Sequence, residues 1–305
     1  MEFYRSESDK LKAIVAIGIA GVALSACTRS AEAIPGMAIV AAEPMHINTY
    51  EIVKPDAIEL LPDAWEMAMH DTPGEVDIAV YDIATGKTAQ WNTPVATTFN
   101  TASIVKYSIL VKTLLQHQES GQPLSAYELS RASTMIENSD NGAASYLWRN
   151  NGGSGAMQEF FHSIDAEATT TTGSWGLTQT TATNQLEILK LLALPNSRLT
   201  PESITAMNSL LAHVEPYQHW GVSGGVPDGI PVWLKNGWLN DSATDNKYSA
   251  TSSWTVNSIG NVGNKYLIAI LSDGNPVGQN RAEQYGIDRI EKLSKITWDM
   301  FDAIA

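Results

Sequence analysis

A chain of 305 residues with 44% apolar and 17% charged side chains can bury a large core, which excludes disorder over most of its length. Its formal net charge of −14 disfavours a nucleic-acid role and electrostatic adsorption to anionic lipid, because both surfaces would repel it. Cys27 is the only cysteine, so no intramolecular disulfide can form.

At the N-terminus, Lys10 and Lys12 precede the apolar run Ala13 to Leu24. The run is too short for a good transmembrane helix but has the flanks of a secretory signal. Leu24-Ser25-Ala26-Cys27 resembles a bacterial lipoprotein lipobox. Residues 1–26 are therefore expected to be a cleaved signal peptide, and the Cys27 sulfur is expected to carry diacylglycerol. Such a lipid would tether the protein outside the cytoplasm, on a membrane it does not span. Residues 1–26 carry as many acidic as basic groups, so the mature chain keeps the same excess of fourteen negative charges. Residues 27–56, with alanine, proline and no period, read as a tether, and residues 57–305 read as one folded domain.

Along that domain, Ala57 to His70 has helical spacing. Val76 to Ile83 alternates as a strand, and Ala84-Thr85-Gly86-Lys87 turns the chain into a second short strand. The middle predicts helices at Ser103 to Gln118, Ala126 to Trp148 and Gln185 to Leu194, and another opened by Thr200-Pro201 with Ile204, Met207 and Leu211 on its inner face. Trp254 to Val262 and Lys265 to Leu271 predict strands joined at Gly263-Asn264, a tight-hairpin signal, and Ile287 to Ile304 predicts a closing helix. Strands at both ends with helices between them predict an α/β domain whose antiparallel sheet is completed by distant segments. Gly221-Val222-Ser223-Gly224-Gly225 lacks the lysine of a phosphate loop. The six histidines lack metal-ligand spacing, so neither a metal nor a cofactor is expected.

Phe99 to Leu110, FNTASIVKYSIL, places Lys106 in a run that otherwise wants burial, one helical turn after Ser103. A serine hydroxyl is a poor nucleophile until something takes its proton, and a lysine in apolar surroundings favours the charged form less and can accept it. Alone, the pair also fits a lysine snorkelling from a helix. Two further fragments follow in order: Ser139-Asp140-Asn141, 36 residues after Ser103, and Lys235-Asn236-Gly237, 132 residues after it. Separately, the first is a common helix-cap composition and the second an ordinary strand end.

Together they resemble the signature of the penicillin-recognising serine enzymes, in particular class A β-lactamases: Ser-x-x-Lys, Ser-Asp-Asn, Lys-Thr-Gly. The likeness covers roughly residues 57–305. It implies a β-lactamase/transpeptidase-like α+β fold, with a five-stranded antiparallel sheet flanked by the N- and C-terminal helices and an all-helical subdomain. It implies Ser103 as the acylated nucleophile, Lys106 as acceptor of its proton, and Ser139 as the relay to the leaving nitrogen. Lys235 would support the relay, and the backbone N–H groups of Ser103 and Trp238 would form the oxyanion hole. Asn141, Asn236 and Gly237 would meet the substrate, a β-lactam or an acyl-D-amino-acid peptide, and Asp140 would be structural.

The likeness fails at one step. Class A enzymes break the acyl-enzyme with a water activated by a glutamate on a Glu-x-x-Leu-Asn loop ahead of a Thr-Thr-Pro helix start. Here Thr180-Thr181 is followed by Ala182, the loop motif is absent, and the nearest carboxylate, Glu167, is expected to face solvent. Loss of a general base costs roughly 10²- to 10⁴-fold, so slow β-lactam turnover is expected. Asn236 stands where threonine is usual, and Trp254 to Val262 holds no arginine for the substrate carboxylate. Two other functions fit the same address, a cell-wall DD-peptidase and a non-catalytic surface lipoprotein using the cleft for recognition, and Trp233 and Trp238 around the third motif fit either.

Overall fold

The computed structural model describes residues 56–94, 98–196, 198–244 and 246–304. The expected signal peptide, the Cys27 lipid site and all but the last residue of the tether lie outside the described residues.

Helix α1 (Ala57–Met69) starts at Asp56, whose carboxylate accepts from the Ile58 amide at 3.3 Å, and buries Ile58, Leu61 and Trp65. Strands β1 (Glu75–Asp82) and β2 (Thr88–Asn92) follow as a hairpin, and β3 (Phe99–Asn100) leads into the helical middle. There α2 spans Val105–Ser120, α3 Ala126–Glu137, α4 Asn141–Asn150 and α5 Gly153–His162. Short β4 (Gln179–Thr180) pairs with β3, and α6 (Ala182–Ala193) and α7 (Pro201–Leu211) bring the chain to β5 (Val232–Asn240), β6 (Trp254–Val262), β7 (Tyr266–Asn275) and α8 (Gln284–Ile304).

The main sheet is wholly antiparallel in the order β2-β1-β7-β6-β5, so strands from both ends of the domain meet at β1 and β7. All ten residues of β7 are buried, which requires cover on both faces. Successive side chains of β6 show the division: Val256 lies under Gly286 of α8, where an added Cβ would come within 2.5 Å of it, while Asn257 donates to the carbonyls of Asn100 and Thr101 at 2.8 and 3.1 Å. The terminal helices α1 and α8 are joined by a Trp65 Nε1 bond to Thr297 Oγ1 at 3.1 Å. The opposite face receives the segment that ends in Ser103. The β6–β7 connection uses Gly263 and Asn264 at φ 60° and 53°, the double left-handed turn that matches strand twist. The five-stranded sheet, its flanking helices and the helical portion are those the sequence resemblance implies.

Two helices differ from expectation. The predicted Ser103–Gln118 helix begins instead as a 3₁₀ turn at Ala102–Ile104 before continuing as α2. The predicted continuous helix Ala126–Trp148 is broken after Glu137: Ser139 takes φ 55°, outside any helix, and Asp140 restarts the chain as an N-cap, accepting from the Ala143 amide at 2.6 Å. In the last predicted face, Met207 and Leu211 are buried but Ile204 is only half-buried.

Candidate active site

The sequence N-terminal to α2 sets the position of Ser103. Ala102 has φ 46°, a left-handed conformation that costs an alanine about 1–3 kcal/mol and persists only where the surroundings impose it. The surroundings are specific: the Thr101 amide donates to the Thr178 carbonyl at 2.8 Å, the Ile104 amide donates to the Thr101 carbonyl at 3.2 Å, and β6 holds the Asn100 and Thr101 carbonyls through Asn257. The strain turns Ser103 out, half-buried, at the N-terminal end of α2, where the helix favours negative charge.

Helix α2 is buried on all sides over its first turns, so Lys106, one turn beyond Ser103, is fully buried among Val105, Ile109 and Leu110. Its ammonium donates to three atoms: Ser139 O at 2.6 Å, Ser139 Oγ at 3.1 Å and Asn141 Oδ1 at 2.8 Å. Burial pulls its pKa from 10.5 down to about 7, opposed by the nearby charge of Asp140. The structural role expected of Asp140 therefore has an electrostatic companion.

Lys235 enters from the sheet side and is also buried, its Nζ donating to Ser139 Oγ at 3.0 Å, Asn236 O at 2.8 Å and Gln218 Oε1 at 3.5 Å. Burial, with repulsion from Lys106, holds its pKa well below the usual lysine value. One hydroxyl oxygen, that of Ser139, thus receives a hydrogen bond from each of two buried amines. With both of its lone pairs engaged, that hydroxyl has its own hydrogen left to give. The left-handed backbone at Ser139 is what lets one residue offer both its carbonyl and its hydroxyl to the same lysine.

Strand β5 is one of the sheet's two edges, the other being β2, and it approaches the nucleophile backbone-first. A Cβ built on Gly237 would lie 2.6 Å from the Ser103 amide nitrogen and 2.8 Å from that of Ile104, so only glycine permits the approach. Trp238, next along the edge, is half-buried and meets Trp220 edge-on at 5.7 Å. Asn236 turns away from the groove: fully buried, it donates to the carbonyls of Gln218 and Trp220 at 2.7 and 3.1 Å and accepts from Ser258 Oγ at 2.6 Å. Its amide is occupied in fastening β5 to the 216–220 segment.

The structure therefore brings together Ser103, Lys106, Ser139, Asn141, Lys235 and Gly237, with Trp238 beside them, and places the Asn236 side chain behind them. Two residues that the sequence analysis did not single out complete the arrangement. Gln218, buried, faces Lys235 and is held by an Nε2 bond to the Glu137 carbonyl at 2.6 Å. Trp175, in a 3₁₀ turn at Trp175–Leu177, lays its ring over Lys106 with Nζ 5.0 Å from the centroid, and its Nε1 donates to Ser145 Oγ of α4 at 3.1 Å. The tryptophan in GSWGL was visible, but nothing in its spacing tied it to Lys106. Glu167 is exposed, as expected, with His162 Nε2 3.9 Å away. Among the described residues, no three His, Cys, Asp or Glu side chains are placed to hold a metal ion.

A family model for the β-lactamase enzyme family matches residues 114–301. In sequence, the chain is 27% identical over 210 residues to a Mycobacterium tuberculosis protein named "Putative lipoprotein LppW", and equally to its Mycobacterium bovis counterpart. These alignments cover 65% of this chain and 62% of the relative, less than two thirds of the relatives' own length. Among solved structures, a class A β-lactamase from Bacteroides cellulosilyticus superposes with a TM-score of 0.67 at 14% identity, over 82% of this chain and 100% of that one. The TLA-1 extended-spectrum β-lactamase gives 0.67 at 16% identity, over 81% and 99%. PBP-A gives 0.63 at 16%, over 80% and 96%. At these identities the likeness is one of fold. No helix among the described residues is long and apolar enough to cross a membrane.

Proposed function

Because the chain belongs to the β-lactamase enzyme family, we propose that it is a serine hydrolase that is acylated at Ser103 by a β-lactam or an acyl-D-amino-acid amide. The observation that carries this reading is the Ser139 hydroxyl shared between two buried lysines, 3.1 Å from Lys106 and 3.0 Å from Lys235, beside the strand edge that touches Ser103.

The chemistry follows from the donor count. A neutral lysine keeps two N–H donors and one lone pair. Ser139 O and Asn141 Oδ1 can only accept, so they retain the two donors, and the lone pair turns to the side of the hydroxyls. Lys106, poised near neutrality by burial, takes the Ser103 proton as Oγ adds to the substrate carbonyl. The negative oxygen is met by the backbone amides of Ser103 and Trp238. The Ser139 hydroxyl then gives its hydrogen to the leaving nitrogen as the C–N bond breaks, and is recharged from Lys106. Lys235 holds Ser139 in place through its N–H bond to the hydroxyl oxygen. Gln218 fixes Lys235, and Asn236 fixes the strand edge.

Hydrolysis of the resulting ester is slow in this reading, since the loop bonded to Thr101 through Trp175 and Thr178 carries no carboxylate between residues 168 and 186. The same lack favours the DD-peptidase reading over a fast lactamase. Together with the lipoprotein name of the mycobacterial relatives, the lipobox-like segment supports a diacylglycerol anchor on Cys27 and a site of action outside the cytoplasm. The test is incubation of the purified chain with a fluorescent penicillin, followed by intact mass over time. A stoichiometric adduct on Ser103 is expected. Its absence would leave the cleft as a recognition site only.

A further inference from the structure

We propose that Trp175 is a positioning residue whose indole shuts water away from Lys106 and from the ester on Ser103, making the acyl-enzyme long-lived. The inference rests on acylation of Ser103 and adds to it the group that decides how long the acyl group stays.

Hydrolysis of the ester adds a water oxygen to the acyl carbon, breaks the bond from that carbon to Ser103 Oγ, returns one water proton to Oγ and releases the acid with the other. The water must lose a proton as it attacks, and Lys106, one helical turn from Ser103, is the amine assigned to take it. Three sides of its Nζ are filled by Ser139 O, Ser139 Oγ and Asn141 Oδ1. The Trp175 ring lies over the amine with its centroid 5.0 Å from Nζ, taking up space that a water beside Lys106 would need. A water there would need polar partners, and an indole face supplies none of the donors or acceptors that hold one.

The indole is fixed rather than resting there. Its Nε1 is bonded to Ser145 Oγ on α4, and its carbonyl accepts from the Thr178 amide at 3.3 Å and from Thr101 Oγ1 at 3.5 Å. Thr101 and Thr178 are themselves joined backbone to backbone at 2.8 Å, so the loop carrying the indole is tied directly to the turn carrying Ser103. An ordinary attractive contact between ring and ammonium would favour the charged lysine. Burial nonetheless pulls the Lys106 pKa down to about 7, the direction expected of a site closed to water.

The experiment compares the wild-type full chain with Trp175→Ala and Ser145→Ala, labelled with fluorescent penicillin, freed of excess reagent and followed by intact mass. Trp175→Ala is expected to shorten the adduct lifetime by about tenfold or more, and to move the pH midpoint of labelling upward from about 7 as water reaches Lys106. Ser145→Ala, which removes one anchoring bond and leaves the core intact, is expected to shorten the lifetime by about two- to fivefold without lowering the melting temperature. Should Trp175→Ala fail to fold, the Ser145→Ala lifetime decides. An unchanged lifetime, or an unmoved midpoint in folded Trp175→Ala, overturns the role of the indole while acylation stands. No adduct on the wild-type chain overturns both.

Discussion

The two walls of the Ser103 groove are built from opposite materials. On one side, Lys106, Ser139, Asn141, Lys235 and Gln218 form a continuous polar chain in which each buried amine has three acceptors. On the other side, residues 168–178 offer threonines, glycines and an indole, with no ionisable group in the stretch. The first wall is suited to moving a proton between a serine and a leaving nitrogen. The second has nothing that could activate water. On the proposed reading, the first wall would serve bond formation to Ser103 and the second would leave release without a base, so the contrast predicts good acylation and poor deacylation. On that reading the two half-reactions depend on separate chain segments and can be changed separately.

The contrast is broken most severely by removing the polar wall's base. Lys106→Ala is expected to lower the rate of penicillin labelling by about 10³-fold or more, since no other buried amine sits one turn from Ser103. Labelling at an undiminished rate would show that another group takes the proton. The same residue sets the pH dependence. Its proton must leave before it can accept that of Ser103, so labelling is expected to be weak in acid and to rise as pH increases through about 7. A midpoint near 10 would show that Lys106 is hydrated like a surface lysine.

Gly237→Ala comes next in size. An added methyl would sit 2.6 Å from the Ser103 nitrogen, against backbone that cannot yield as a flexible side chain would. Strand β5 must then draw back, and a loss of about 1–3 kcal/mol in stability, read by denaturant unfolding, should accompany labelling slowed by roughly tenfold. Intact labelling would mean that the edge of β5 is not needed to hold the developing oxyanion.

The polar wall was legible in the sequence and the apolar one was not, for a physical reason. Ser103, Lys106, Ser139, Asn141, Lys235 and Gly237 announce themselves as polar or flexible residues at fixed short spacings, and three such fragments in order imply convergence. The sheet was readable in the same way, from alternation in Val76 to Ile83 and the Gly263-Asn264 turn. A tryptophan in a glycine-rich loop carries no such mark, because packing residues are common and only coordinates place Trp175 against Lys106. Gln218 was hidden for the same reason. The predicted helix through Ser139 failed because the helical spacing runs on from Ala126 to Trp148 and does not reveal a single residue at φ 55° followed by an Asp140 N-cap. Asn236 shows the limit from the other side: its place in the motif implied contact with substrate, whereas all three of its side-chain bonds go to the protein interior.

The smallest expected effect tests the apolar wall by what lies outside it. Glu167 is the carboxylate nearest in sequence to where a deacylating base would be sought, but its side chain is 72% exposed and the neighbouring His162 is a surface residue 3.9 Å away. A base held at that level of exposure has no fixed line to a water at the Ser103 ester, because general-base catalysis needs contact of about 2.6–3.2 Å, directly or through one water. Glu167→Gln keeps the shape and removes the charge, and the exposed pair it breaks contributes at most about 1 kcal/mol. The adduct lifetime, measured by intact mass, is therefore expected to change by less than about twofold. A tenfold longer lifetime in Glu167→Gln would mean that this loop closes over the groove during turnover and brings a carboxylate to the ester, and the division between the two walls would then hold only for the free enzyme.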